Sequence, residues 1–120
     1  MTGIEINADA VAAMGQPFPD LKSNATILLQ AAQPAMPKLA SGKFGLTLTM
    51  AVLLHLHPDS EWIFGEMLRV TEGYLVVIGI EKQSNYKVLA RQYRQDFESL
   101  GAIQIHDVLP THTTRIFRPR

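Results

Sequence analysis

Residues 74–80, Tyr-Leu-Val-Val-Ile-Gly-Ile, form an apolar run with no alternation of polar side chains. A strand that faces water on one side alternates. An unbroken run is the mark of a strand covered on both faces, as in a parallel sheet. A parallel sheet needs crossover helices, and helical stripes stand on either side of the run. Before it, Ile63, Met67 and Val70 repeat at i, i+4, i+7, with Phe64 and Leu68 beside them. Pro58 is placed to open this helix and Gly73 to break it. After it, Tyr86, Leu89, Tyr93, Phe97 and Leu100 fall on one helical stripe, and Gly101 is its natural C-cap.

The remaining chain extends the same alternation. Residues 2–7 read as a strand, and Asn7 as the N-cap of a short helix over 8–15 with Val11 and Met14 inward. Pro17 and Pro19 end that helix. Residues 25–30 read as a second strand, and 31–43, with Pro34, Pro37, Ser41 and Gly42, as loop with room for one helical turn. Phe44 to Met50 is a third strand running on into Ala51-Val52-Leu53-Leu54. Residues 102–109 and 113–117 alternate and read as a hairpin turned at Pro110-Thr111-His112. The expected fold is α/β and Rossmann-like: one domain over 1–120, with a mostly parallel sheet and a C-terminal antiparallel hairpin.

Composition narrows the function. Eleven basic and eleven acidic residues give zero formal charge, which argues against a grip on nucleic acid or an anionic membrane. Cysteine is absent, so disulfides, thiolate zinc sites and cysteine nucleophiles are excluded. No apolar run reaches a spanning length, and the first residues carry neither a basic region nor a signal-peptide core, so a cytoplasmic location is expected.

Four groups could carry chemistry. Glu5, at the end of the first strand, could accept both hydroxyls of a ribose, or stand as a solvated strand-end acid. No GxGxxG or GxxxxGK[ST] precedes or follows it. His55 and His57 follow the third strand, at the edge where open α/β sheets bind ligands. Either could serve as a general base or orient a substrate, or could cap a helix start. His55, His57 and Asp59 also have the His-x-His-x-Asp spacing of zinc hydrolases, but Ser60 stands where those enzymes usually carry another His. Glu81 heads the polar stretch after the apolar run, again at the ligand edge. Lys87, Arg91 and Arg94 share one helix face diluted by Asp96 and Glu98, and with Arg115, Arg118 and Arg120 they read as ordinary surface charge.

Taken in order, these segments resemble the class I S-adenosylmethionine-dependent methyltransferases. Gly3-Ile4-Glu5-Ile6-Asn7 and the helix after it are similar to the acidic second motif. Phe44 to Met50, leading to Val52-Leu53-Leu54-His55-Leu56-His57-Pro58, is similar to the fourth-strand motif. Glu66 to Val70, Tyr74 to Ile80 and Asp96 to Gly101 follow in the family's order. The His-hydrophobic-His-Pro-Asp turn is closest to the branch of pseudaminic acid biosynthesis-associated methylases.

The resemblance implies S-adenosylmethionine as cofactor, with Glu5 on its ribose, Ile6 against its adenine, and Met50 and Ala51 along its methionine side. It places His55 and His57 near the methyl acceptor, a small molecule or sugar derivative, with Glu81 bordering that pocket and no metal. The family's first strand and Gly-rich loop have no counterpart, so the chain resembles the C-terminal two thirds of the domain. Gly45 stands where the family has Asp, and Ala32-Gln33-Pro34 where it has an acid. A sheet lacking that strand is expected to be completed by a second copy or another protein. The competing readings are a non-catalytic relic or interaction module, and a metal-dependent hydrolase built on His55, His57 and Asp59.

Overall fold

A computed structural model describes residues 1–5, 7–50, 53, 56–79, 81, 92–108 and 113–119, the side chains of Leu21 and Lys22 excepted. The chain forms two compact units, Met1–Leu39 and Ala40–Arg120.

In the first unit, β1 (Thr2–Ile4) pairs in parallel with β2 (Thr26–Leu28), Gly3 lying opposite Ile27. The crossover holds two short helices, α1 (Ala8–Met14) and α2 (Pro19–Asn24). Asn7 caps α1 as its sequence requires, its side chain accepting from the Asp9 amide at 2.9 Å. Val11 and Met14 are half-buried, the more covered positions of that helix. α2 is an element the sequence reading does not anticipate: Pro19 does not merely end one helix but occupies the first position of the next, where its missing N–H costs nothing. One further turn, α3 (Ala32–Ala35), runs into a 3₁₀ turn at Met36–Lys38, and Ala35 and Met36 are buried.

The second unit is a four-stranded sheet in the order β3-β4-β6-β5. β3 (Phe44–Met50) runs parallel to β4 (Thr71–Gly79). β6 (Thr113–Arg118) pairs antiparallel with both β4 and β5 (Ile103–Val108). The expected single, mostly parallel sheet is therefore two sheets, and the larger is mixed. Among the described strands, no partner bridges the two.

α4 (Trp62–Val70) buries Ile63, Phe64, Met67 and Val70, the stripe set by its periodicity. A 3₁₀ turn at Pro58–Ser60 precedes it, so Pro58 opens that turn and not the α-helix itself. α5 (Tyr93–Ser99) buries Tyr93 and Phe97. The Tyr86 and Leu89 positions of its stripe lie outside the described residues, and Leu100, beyond the last helical turn, is exposed. Gly101 ends α5 at φ 99°, with its amide donating to Glu98 and that of Ala102 to Phe97, a Schellman closure only glycine enters freely.

The two helices pack against Leu75, Val77 and Phe117, all essentially inaccessible. The opposite face of β4 differs from expectation: Val76 and Ile78 are half-buried and Tyr74 is exposed. The apolar run is thus fully covered on one face only.

α4 passes into β4 without a loop. The Thr71 hydroxyl donates to the Met67 carbonyl at 2.6 Å and is hydrogen-bonded to the Thr47 hydroxyl at 2.6 Å, locking helix end to sheet. Gly73 lies within β4 and does not break the helix. It sits at a register shift, where a Cβ would collide with the Gly45 carbonyl oxygen. Gly73→Ala should cost about 1–3 kcal/mol through this overpacking, seen as a lower urea midpoint with unchanged slope. Gly65→Ala, in α4 with nothing within 4 Å of its Cβ, should instead stabilise by about 0.5–1 kcal/mol.

Candidate functional site

The predicted residues fall on both units. In the first, β1 delivers Glu5 to its carboxyl end. The Glu5 amide donates to the Leu28 carbonyl at 3.1 Å, extending the ladder by one bond. Its carboxylate is exposed, and Oε1 accepts from the Asn7 amide at 3.0 Å. The acid is therefore oriented by the turn into α1 while remaining accessible. Ile6 lies outside the described residues.

In the second unit, Met50 ends β3 in register with Ile78 and is 64% exposed. Glu81 follows β4, so Met50 and Glu81 stand at the carboxyl ends of two adjacent parallel strands, the edge where open α/β sheets bind ligands. Ala51 and His55 lie outside the described residues.

His57 caps the 3₁₀ turn that leads into α4. Its Nδ1 accepts from the Asp59 amide at 3.1 Å, and the Asp59 carboxylate is 3.4 Å away. Both side chains are exposed. Because Nδ1 is the acceptor, the proton of the neutral ring sits on Nε2. Nε2 is then a hydrogen-bond donor.

Glu81 is almost inaccessible and is held by Arg115 through a two-point contact, Nε to Oε2 at 2.7 Å and Nη2 to Oε1 at 3.2 Å. Arg115 Nη1 donates to Gln104 Oε1 at 2.9 Å and lies 3.6 Å from Asp107. Both oxygens of Glu81 are thus engaged in tying the end of β4 to the β5–β6 hairpin. Sequence reading set Arg115 aside as ordinary surface charge. The signal that could have found it is alternation: Thr113, Arg115 and Phe117 share one face of β6, Thr113 and Phe117 are buried, and an arginine between them requires an acid.

Among the described residues, no three metal-ligating side chains come together, and His55 of the His-x-His-x-Asp spacing lies outside them. No helix of the described residues is long and apolar enough to cross a membrane. An open depression of about 580 Å³, lined by Glu72, Gly73, Tyr74, Ile103, Arg118 and Pro119, lies at the amino end of β4. That is the opposite end from Met50 and Glu81, so it is no part of the candidate site.

Removing one partner of a buried pair leaves the other charge uncompensated. Arg115→Met should therefore destabilise by about 3–5 kcal/mol. The double change Arg115→Met with Glu81→Leu should recover most of that loss. Chemical denaturation of the three chains checks both.

No protein-family model matches the sequence, and no curated protein does either. Solved structures do. A protein from Pyrococcus horikoshii is 13% identical, with TM-score 0.73 over 100% of this chain and 71% of its own. The 1,6-didemethyltoxoflavin-N1-methyltransferase of Burkholderia thailandensis, solved with bound 1,6-didemethyltoxoflavin and S-adenosylhomocysteine, is 11% identical, with TM-score 0.74 over 98% of this chain and 60% of its own. A TehB-like S-adenosylmethionine-dependent methyltransferase of Corynebacterium glutamicum is 13% identical, with TM-score 0.72 over 99% of this chain and 67% of its own. The chain thus spans between three fifths and three quarters of these proteins, and over that span it has the fold of the S-adenosylmethionine-dependent methyltransferases.

Proposed function

We propose that this chain carries the fold and part of the site of an S-adenosylmethionine-dependent methyltransferase acting on a small-molecule or sugar-related acceptor. The observation that carries this reading is the whole-chain likeness to methyltransferases, one of them solved with S-adenosylhomocysteine. The chemistry of the residues fits the cofactor at two points. Glu5 is an accessible carboxylate at a strand end, suited to the paired hydroxyl donors of a ribose. Met50 offers an exposed apolar side chain at the carboxyl end of β3.

When bound, S-adenosylmethionine supplies a methyl group on a sulfonium. The protein's work is to hold and orient, since in-line displacement gains most from fixed geometry. By the family resemblance, Glu5 of the first unit would accept from the ribose hydroxyls with Ile6 toward the adenine, and in the second unit Met50 and Ala51 would serve the methionine portion. His57, with its proton on Nε2, donates to an oxygen of the acceptor and positions it. Proton removal from the acceptor falls to His55. Glu81 contributes to the acceptor pocket through Arg115, whose position it fixes, and not as a free carboxylate. The link to pseudaminic acid-type methylases rests on the resemblance of the His55-Leu56-His57-Pro58-Asp59 turn.

A second reading, a non-catalytic interaction module, is favoured by the apolar side chains exposed along β3. Calorimetric titration of the 120-residue chain with S-adenosylhomocysteine separates the two. Micromolar binding, weakened at least tenfold by Glu5→Ala, is the expected result. A folded chain that does not bind overturns the methyltransferase reading and leaves the interaction module.

A further inference from the structure

The open depression at the amino end of β4 lies away from the candidate site, and every residue that lines it belongs to the second unit. Its volume of about 580 Å³ falls within the range of small-molecule sites. Three adjacent strands build it. Ile103 of β5 stands in register with Arg118 of β6, and Leu75 of β4 with Phe117. Tyr74 and Arg118 are the next residues outward from that second pair, so Tyr74, Arg118 and Ile103 come side by side. With neighbouring strands roughly 4.8 Å apart, this row is about 10 Å wide. Tyr74 is 51% and Ile103 40% exposed, an aromatic ring and a branched aliphatic chain open to a ligand. Pro119 adds apolar surface at the end of β6.

Two exposed charges flank these apolar side chains, Arg118 and Glu72. Neither makes an ion pair or a side-chain hydrogen bond among the described residues. Arg115 on the same strand shows the contrast, since its guanidinium is taken up by Glu81 and Gln104. The Arg118 fork suits a carboxylate held at two points.

The two signs restrict the occupant. A polyanion is attracted by Arg118 and repelled by Glu72, and a polycation meets the reverse. A ligand with one charge of each sign on an apolar body is attracted by both. We propose that the depression binds a free α-amino acid with an apolar or aromatic side chain. Its carboxylate meets the Arg118 guanidinium, its ammonium meets the Glu72 carboxylate, and its side chain lies on Tyr74 and Ile103. The depression is open, so the bound ligand keeps part of its surface in water and Kd is roughly 0.1–1 mM. The proposal is independent of the cofactor reading, because Met50 and Glu81 stand beyond the other end of β4.

The test is a titration of the isotope-labelled full chain with L-phenylalanine, L-tryptophan and L-leucine, followed by amide NMR shifts. At least one of the three should give saturable shifts at Glu72, Tyr74, Ile103 and Arg118. The N-acetyl form of the tightest binder lacks the ammonium charge, and its amide form lacks the carboxylate. Each should bind at least tenfold more weakly than the parent, as the loss of a charge-assisted contact requires. Arg118→Gln should weaken the parent tenfold or more, while Arg118→Lys, which keeps the charge and loses the fork, should fall between. No saturable shift with any of the three overturns the proposal. So do shifts confined to other residues, single-charge forms that bind as tightly as the parent, or an affinity that Arg118→Gln leaves unchanged. Should that variant fail to fold, the two single-charge forms decide alone.

Discussion

Phe97 holds the second unit together. Its ring lies 4.9 Å from that of Phe117 and 5.2 Å from that of Phe64, centroid to centroid, and all three are buried. The three come from α5, β6 and α4, so one aromatic cluster ties both helices to one face of the sheet. Tyr93 adds an edge contact to Phe64. Offset and tilted ring pairs of this kind stabilise beyond their buried area, whereas among the described residues of the first unit the buried apolar ones are Ala35 and Met36. Everything placed at the carboxyl ends of β3 and β4 depends on that cluster.

Much of this was legible from periodicity. The α4 stripe, the β3 strand, the final hairpin and the Gly101 cap were visible because each is set by local spacing and local backbone chemistry. What misled was context. The unbroken apolar run at 74–80 reads as a strand covered twice, yet the residues on its second face are only partly covered. Composition records the environment a strand is suited to, and cannot report whether the covering layer is present. Pro19 likewise reads as a stop, because proline at a first helical position and proline after a last one look alike in a single sequence.

The candidate site was legible in position more than in state. Glu5, Met50 and Glu81 all stand at strand ends, as expected from the order of elements. Their engagement was not visible. Whether a carboxylate is free is decided by partners distant in sequence, and Arg115 lies 34 positions after Glu81. His57 shows the converse case. Its cap on Asp59 spans two positions, so the helix-start alternative could be written beforehand, and the resulting tautomer changes what the ring can offer a substrate.

The strand order carries a consequence for synthesis. β6 follows β5 in sequence, yet it lies inside the sheet, between β4 and β5. As the polypeptide emerges, β4 waits with one edge open until β6 is made, and among the described strands β5 has no neighbour until then. The Phe117 corner of the aromatic cluster arrives at the same late moment, as does Arg115 for Glu81. The sheet therefore closes only once β6 has been made. A chain cut before β6 has not a slightly smaller sheet but an unclosed one, with a buried acid that lacks its counter-charge.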